Sequence, residues 1–113
     1  MQYKAGDVLC VRFPYEDSYE EKIRPALFWK YAADGSLLIL SKITSKHRSE
    51  NKYEVRIEPT EINGLKETSW VRIDKTVKIA ENKVLFVYGC ITPIQFAVVK
   101  EKLDEYLNEI MRK

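Results

Sequence analysis

One histidine, His47, and two cysteines, Cys10 and Cys90, are all that this chain of 113 residues offers as soft metal ligands. There is no CxxC pair and no Cys/His spacing of the zinc-site kind, which argues against a structural zinc and leaves no metal or other cofactor to expect. A lone imidazole also rules out, within one subunit, a mechanism that uses one histidine as base and another as acid. The cysteines stand far apart inside apolar runs and read as free, buried thiols of a reducing compartment, not as a disulfide. Long hydrophobic runs are missing too. Nothing is long enough to cross a bilayer, and Met1-Gln2-Tyr3-Lys4 has no signal-peptide core, so the expectation is a cytoplasmic protein with no membrane partner. Nor does one sign of charge dominate: 19 Lys and Arg against 17 Asp and Glu leave +2, which permits an anionic partner without demanding one.

What is present is ordinary for a soluble globular chain, 45% hydrophobic and 32% charged. Residues 1–113 make a single domain, without repeats, low-complexity tracts or linkers. Short runs of β-formers recur between turn signals. Val8–Phe13 is a first strand ended by Pro14, and 15–22, with Glu16, Asp17, Glu20 and Glu21, reads as an exposed acidic loop. Strands follow at Ala26–Tyr31, Leu37–Ile43, Tyr53–Ile57, Ser69–Asp74, Lys75–Ala80 and Val84–Ile91, with turns at Asp34-Gly35 and Ile62–Leu65. Alternation in Tyr53–Ile57 gives its charged residues, Glu54 and Arg56, to solvent. Thr92-Pro93-Ile94-Gln95 supplies a capping threonine, a proline at the first helical position and the glutamine of a capping box. Phe96, Val99, Leu103, Tyr106 and Ile110, widened by Leu107, then repeat at helical spacing, which predicts one helix from Pro93 to about Met111. Many strands and one terminal helix imply a mainly β fold: a small, curved antiparallel sheet or partly open barrel covered by a helix.

Three clusters carry chemistry. In Lys22-Ile23-Arg24-Pro25, proline pushes Arg24 to an extended backbone at the rim of a strand, where its guanidinium presents a fixed fork of donors to phosphate or carboxylate. Thr44-Ser45-Lys46-His47-Arg48-Ser49 gathers hydroxyls, cations and the histidine on a polar loop after a core strand, the usual ligands of phosphate oxygens. Period two in Ser69–Asp74 puts Val71 and Ile73 on one face and Trp70, Arg72 and Asp74 on the other.

Gly6-Asp7-Val8 with Phe13-Pro14, Lys22–Leu27, Ile43-Thr44-Ser45 and Ser69–Asp74, in that order, resemble the MazF/PemK toxins of type II toxin–antitoxin systems over nearly the whole chain. The resemblance implies an SH3-like barrel with a C-terminal helix, a homodimer, a cognate antitoxin, and metal-independent, sequence-specific cleavage of single-stranded RNA. It carries catalytic roles to Arg24 and Thr44 and, from the PemK branch, to Arg72 and Asp74. That branch also uses a histidine in the loop after the first strand, where this chain has carboxylates instead. Beside the resemblance, Ser45, Lys46, His47, Arg48, Lys42 and Lys52 are candidates to follow an RNA backbone, and Trp70 or Tyr53 to stack a base. His47 is a candidate acid. Two other readings compete. A CcdB-type gyrase poison shares the fold but lacks the Arg-Pro and Thr-Ser elements, and uses a tryptophan near its C-terminus where this chain ends Ile110-Met111-Arg112-Lys113. A non-catalytic SH3-like module would need exposed aromatics and few phosphate ligands.

Overall fold

The capping box forms as the sequence predicts. Thr92 Oγ1 accepts from the Gln95 backbone N–H at 3.0 Å, and Gln95 Oε1 accepts from the Thr92 N–H at 3.0 Å, opening a helix, α1, over Pro93–Met111. In the computed structural model, which describes residues 2–14, 20–48 and 50–112, α1 packs on a six-stranded antiparallel sheet. Its strands are β1 (Asp7–Pro14), β2 (Glu21–Tyr31), β3 (Leu37–Thr44), β4 (Glu54–Ile57), β5 (Ser69–Ala80) and β6 (Val84–Cys90), in the spatial order β4-β5-β3-β2-β1-β6.

Two boundaries differ from the sequence reading by more than one residue. β2 begins at Glu21, ahead of Ala26, because β1 pairs with it all the way out, Phe13 opposite Lys22 and Pro14 opposite Glu21. Glu21 is further tied to Lys83 Nζ at 2.6 Å. Of the expected acidic loop, residues 15–19, with Glu16 and Asp17, lie outside the described residues. Ser69–Asp74 and Lys75–Ala80 are one strand of 12 residues, not two. Against β3 its register jumps from Ser41–Thr76 to Lys42–Arg72, so Ile73, Asp74 and Lys75 form a bulge without partners on β3. A buried polar chain pins that bulge: Trp29 Nε1 donates to Ser41 Oγ at 2.7 Å, Ser41 Oγ meets Thr76 Oγ1, and Thr76 Oγ1 donates to the Ile73 carbonyl at 2.7 Å. The bulge bends β5 and lets a short sheet curl.

Curling creates two cores. Leu27, Ile43, Val71, Ile73 and Val99 belong to the one beneath α1, and Leu9, Ala26, Phe28, Leu38, Leu40 and Ile79 to the one on the other face. A fully buried aliphatic side chain stabilises by about 1.5–3 kcal/mol. In α1 only Val99 is fully buried, so the helix also leans on ring contacts, Phe96 with Trp29 at 5.7 Å and Tyr106 with Tyr53 at 4.8 Å. That contact removes Tyr53 from the candidates for stacking a base. Leu107 and Ile110, expected in the packed stripe, are exposed, because α1 overruns the sheet: Ile110 lies about 16 Å along the axis from Val99.

The two edge strands, β4 and β6, do not pair with each other. The turn after β4 bridges them, with the Cys90 N–H donating to the Ile62 carbonyl at 2.8 Å. This approach needs two glycines. A Cβ on Gly64 (φ +70°) would meet the Tyr88 carbonyl, and one on Gly89 would overlap the Ile62 carbonyl oxygen. Asn63, fully buried, organises the turn. Its Oδ1 accepts from the Thr60 and Leu65 N–H groups at 3.1 and 3.0 Å, and its Nδ2 donates to the Glu58 carbonyl at 3.0 Å. Asn63→Ala strands all three backbone groups and is expected to cost about 2–4 kcal/mol, read as a lower midpoint in urea with an unchanged m-value.

Candidate active site

Where β2 begins, β3 ends and this turn passes, a cleft of about 440 Å³ opens. Ile23, Pro25, Ile43 and Leu65 form its apolar wall, Phe86 and Tyr88 add aromatic surface, and Arg24, Thr44, Ser45, Lys66, Glu67 and Ser69 bring the polar groups. Arg24 is held by its backbone, paired across to Val11 in the β1–β2 ladder. It is half-buried, and its guanidinium makes no hydrogen bond or ion pair to the described residues. No ion pair ties it to a described carboxylate, Glu67 of the same cleft included, so its donors are open to an anionic ligand. Thr44 is 6% exposed. Its Oγ1 accepts from the Lys46 N–H at 3.1 Å, which leaves the hydroxyl hydrogen free to donate elsewhere. Burial, and after it the Cys10 thiol, raises the Tyr88 phenol above its ordinary 10.0, so in the cleft Tyr88 stays a neutral phenol near pH 7.

Cross-strand pairing extends this polar surface. Ala26, Lys42, Arg72 and Glu54 form one row across β2, β3, β5 and β4, and Thr44, Trp70 and Arg56 the next. Paired residues in an antiparallel sheet project to the same side, so Arg24, two residues before Ala26, shares a face with Thr44, Trp70 and Arg72. Asp74 sits in the β5 bulge and does not line the cleft. Its Oδ1 and Oδ2 lie 3.4 and 3.3 Å from Arg72 Nε and Nη2, and Asn51 Nδ2 donates to Oδ2 at 3.3 Å. Two strand spacings, about 10 Å, separate the Arg24 strand from the Arg72 strand.

The loop after β3 folds back over this shelf. His47 stacks on Trp70 with ring centroids 4.7 Å apart and planes 17° from parallel, while Ser45, Lys46 and Arg48 stay exposed. Glu54, which alternation gives to solvent, is covered: its side chain is 0% exposed. Folding of 45–48 across β4 does this, with His47 Nδ1 2.8 Å from Glu54 Oε1 and the Arg48 N–H donating to the same oxygen at 2.9 Å. Arg72 Nε lies 3.2 Å from Oε2, too oblique for a hydrogen bond. The sequence held one signal of this, a carboxylate on a strand beside another strand that carries Arg72. Phe86 and Tyr88 carried none, since aromatics in a strand run read as core. Among the described residues, no group of three or more His, Cys, Asp or Glu is placed to hold a metal ion, and no helix is long and apolar enough to cross a membrane.

Fold and site together describe a small half-open barrel with a cleft at its rim that brings Arg24 and Thr44 together. The family model of the PemK-like, MazF-like toxins of type II toxin–antitoxin systems matches residues 4–107, and the chain belongs to that family. Among solved structures, the Mycobacterium tuberculosis toxin MazF-mt6 superposes with a TM-score of 0.72 at 19% identity, covering 90% of this chain and 96% of that one. An endoribonuclease from a mycobacterial species, solved in complex with its cognate antitoxin, gives 0.74 at 17% identity, covering 94% and 95%. A further mycobacterial endoribonuclease gives 0.72 at 16%, covering 96% and 93%. No curated protein matches the sequence significantly.

Proposed function

We propose that this toxin is an endoribonuclease that cuts single-stranded RNA in a sequence-specific, metal-independent way. The observation that carries the reading is that the Arg24 guanidinium, unpaired among the described residues, shares one cleft with the Thr44 hydroxyl, in a chain of this family. The ribose 2′-hydroxyl attacks the adjacent phosphorus, giving a 2′,3′-cyclic phosphate and a 5′-hydroxyl. Arg24, with Thr44, holds the charge that builds on the phosphoryl oxygens. Asp74 takes the 2′ proton and Arg72 orients it or binds a neighbouring phosphate. For Arg24 and Asp74 to act on one linkage, the RNA must lie across β3, over Thr44 and Lys42. Ser45, Lys46 and Arg48 follow its backbone, Trp70 offers a ring for stacking, and His47 supplies the proton to the leaving oxygen.

Ile94 and Val98 on the outer side of α1, and Leu85, Phe86 and Val87 on β6, are exposed apolar side chains. A second copy and a cognate antitoxin are the partners this reading expects to cover them, in the cytoplasm. The test is incubation of purified protein with a long single-stranded RNA in EDTA, followed by mapping of the new ends. New 2′,3′-cyclic phosphate and 5′-hydroxyl ends are expected; intact RNA defeats the proposal. Thr44→Ala is expected to slow the cut about 10-fold or more while circular dichroism and oligomeric state stay as in the parent.

A further inference from the structure

We infer that Glu54 is a positioning residue, fixing the His47 ring so that Nε2 alone is presented to RNA; the inference rests on the ribonuclease reading above. The Glu54 carboxylate has no exposed surface; its Oε2 lies 3.2 Å from Arg72 Nε without a hydrogen bond, and a buried ion pair of this kind adds little net stability. What it does achieve is local. A carboxylate only accepts hydrogen bonds, so at 2.8 Å from Glu54 Oε1 the His47 Nδ1 must carry a hydrogen. That hydrogen bond sets the tautomer and leaves Nε2 as the nitrogen able to gain or lose a proton towards solvent. Trp70, stacked on one ring face, limits rotation, and Trp70 is the cross-strand partner of the cleft residue Thr44. The only imidazole of the chain therefore stands on the shelf next to the cleft, with one nitrogen free.

The step this serves is protonation of the leaving oxygen. As the 2′-oxygen bonds to phosphorus and Asp74 takes its proton, the bond from phosphorus to the 5′-oxygen breaks. Its electron pair stays on that oxygen, which receives the proton from His47 Nε2. Asp74 is left protonated and His47 neutral, and exchange with water restores both. The charged groups around the ring are Glu54 and Arg56 on β4, Arg72 and Asp74 on β5, and Arg48 beside it in the loop.

The test has an arm that needs no activity. In the parent, nitrogen NMR of the single histidine is expected to show the Nδ1–H tautomer, and in Glu54→Gln, whose amide can also donate to the ring, a mixture or the Nε2–H form. With single-stranded RNA in EDTA, Glu54→Gln is expected to lower kcat about 10- to 100-fold with KM little changed. It should also remove the same limb of the pH–rate profile that His47→Gln removes. On a His47→Gln background Glu54→Gln should add almost nothing, since the two act as a unit. If Glu54→Gln does not fold, Glu54→Asp, one methylene too short to reach Nδ1, replaces it. An unchanged tautomer, an unchanged kcat, or an equal slowing with and without His47 overturns the positioning role. If the parent leaves RNA intact, the ribonuclease reading fails by itself, and the NMR arm still decides whether Glu54 fixes the ring.

Discussion

Arg24→Ala is expected to lower the rate of RNA cleavage by about 10²–10³, the loss seen when one preorganised donor to a developing oxyanion is removed. The size follows from the site. The guanidinium has no carboxylate partner among the described residues to share its charge, and it stands on a strand fixed by the β1–β2 ladder, so a bound phosphate gains its full effect without reorganisation. Removing it leaves no unpaired buried carboxylate behind, and the melting temperature should hardly move. Arg24→Lys keeps the charge and loses the fork, and an intermediate rate is expected because a point charge cannot bridge two phosphoryl oxygens. The measurement is single-turnover cleavage at saturating enzyme, which separates chemistry from binding. A variant that cuts as fast as the parent removes Arg24 from the reaction.

Gly89→Ala acts on the fold instead. Its new Cβ overlaps the Ile62 carbonyl oxygen, and a backbone atom cannot turn aside as a side chain can. The turn must move as a whole, breaking the Cys90–Ile62 hydrogen bond. A cost of about 3 kcal/mol or more is expected, lowering Tm by about 10–20 °C. Thermal unfolding followed by circular dichroism measures it, and a variant within a degree or two of the parent would mean that the turn and β6 are not in close contact in solution.

The bounds of the helix were legible, because a capping box and an apolar period agree on the same residues, but not the exposure of Leu107 and Ile110. The β-rich architecture was legible too, though not its joints. Glu21-Lys22 does not look like strand, and only pairing with Phe13 and Pro14 makes it one. Asp74-Lys75 interrupts the alternation of β5, so one bent strand read as two; the Trp29–Ser41–Thr76 chain that holds the bend joins residues distant in sequence. The extended backbone of Arg24 before Pro25 and the place of Thr44 at the end of a core strand could be read because each needs only its immediate neighbours to be understood. Glu54 could not. Its burial comes from a loop that returns across the sheet, and local periodicity contains no information about what covers a strand from above.

The seam between β4 and β6 has a consequence for how the molecule breathes. Elsewhere neighbouring strands are joined by ladders of paired residues, whereas here the main chains meet through the Cys90–Ile62 bond beside the Asn63 knot. Amide protons at the seam should therefore exchange with solvent through a smaller opening than those in the middle of β3, and well before global unfolding. Since Gly64 and Leu65 on that turn also border the cleft, the same small opening would alter its width while both cores remain intact.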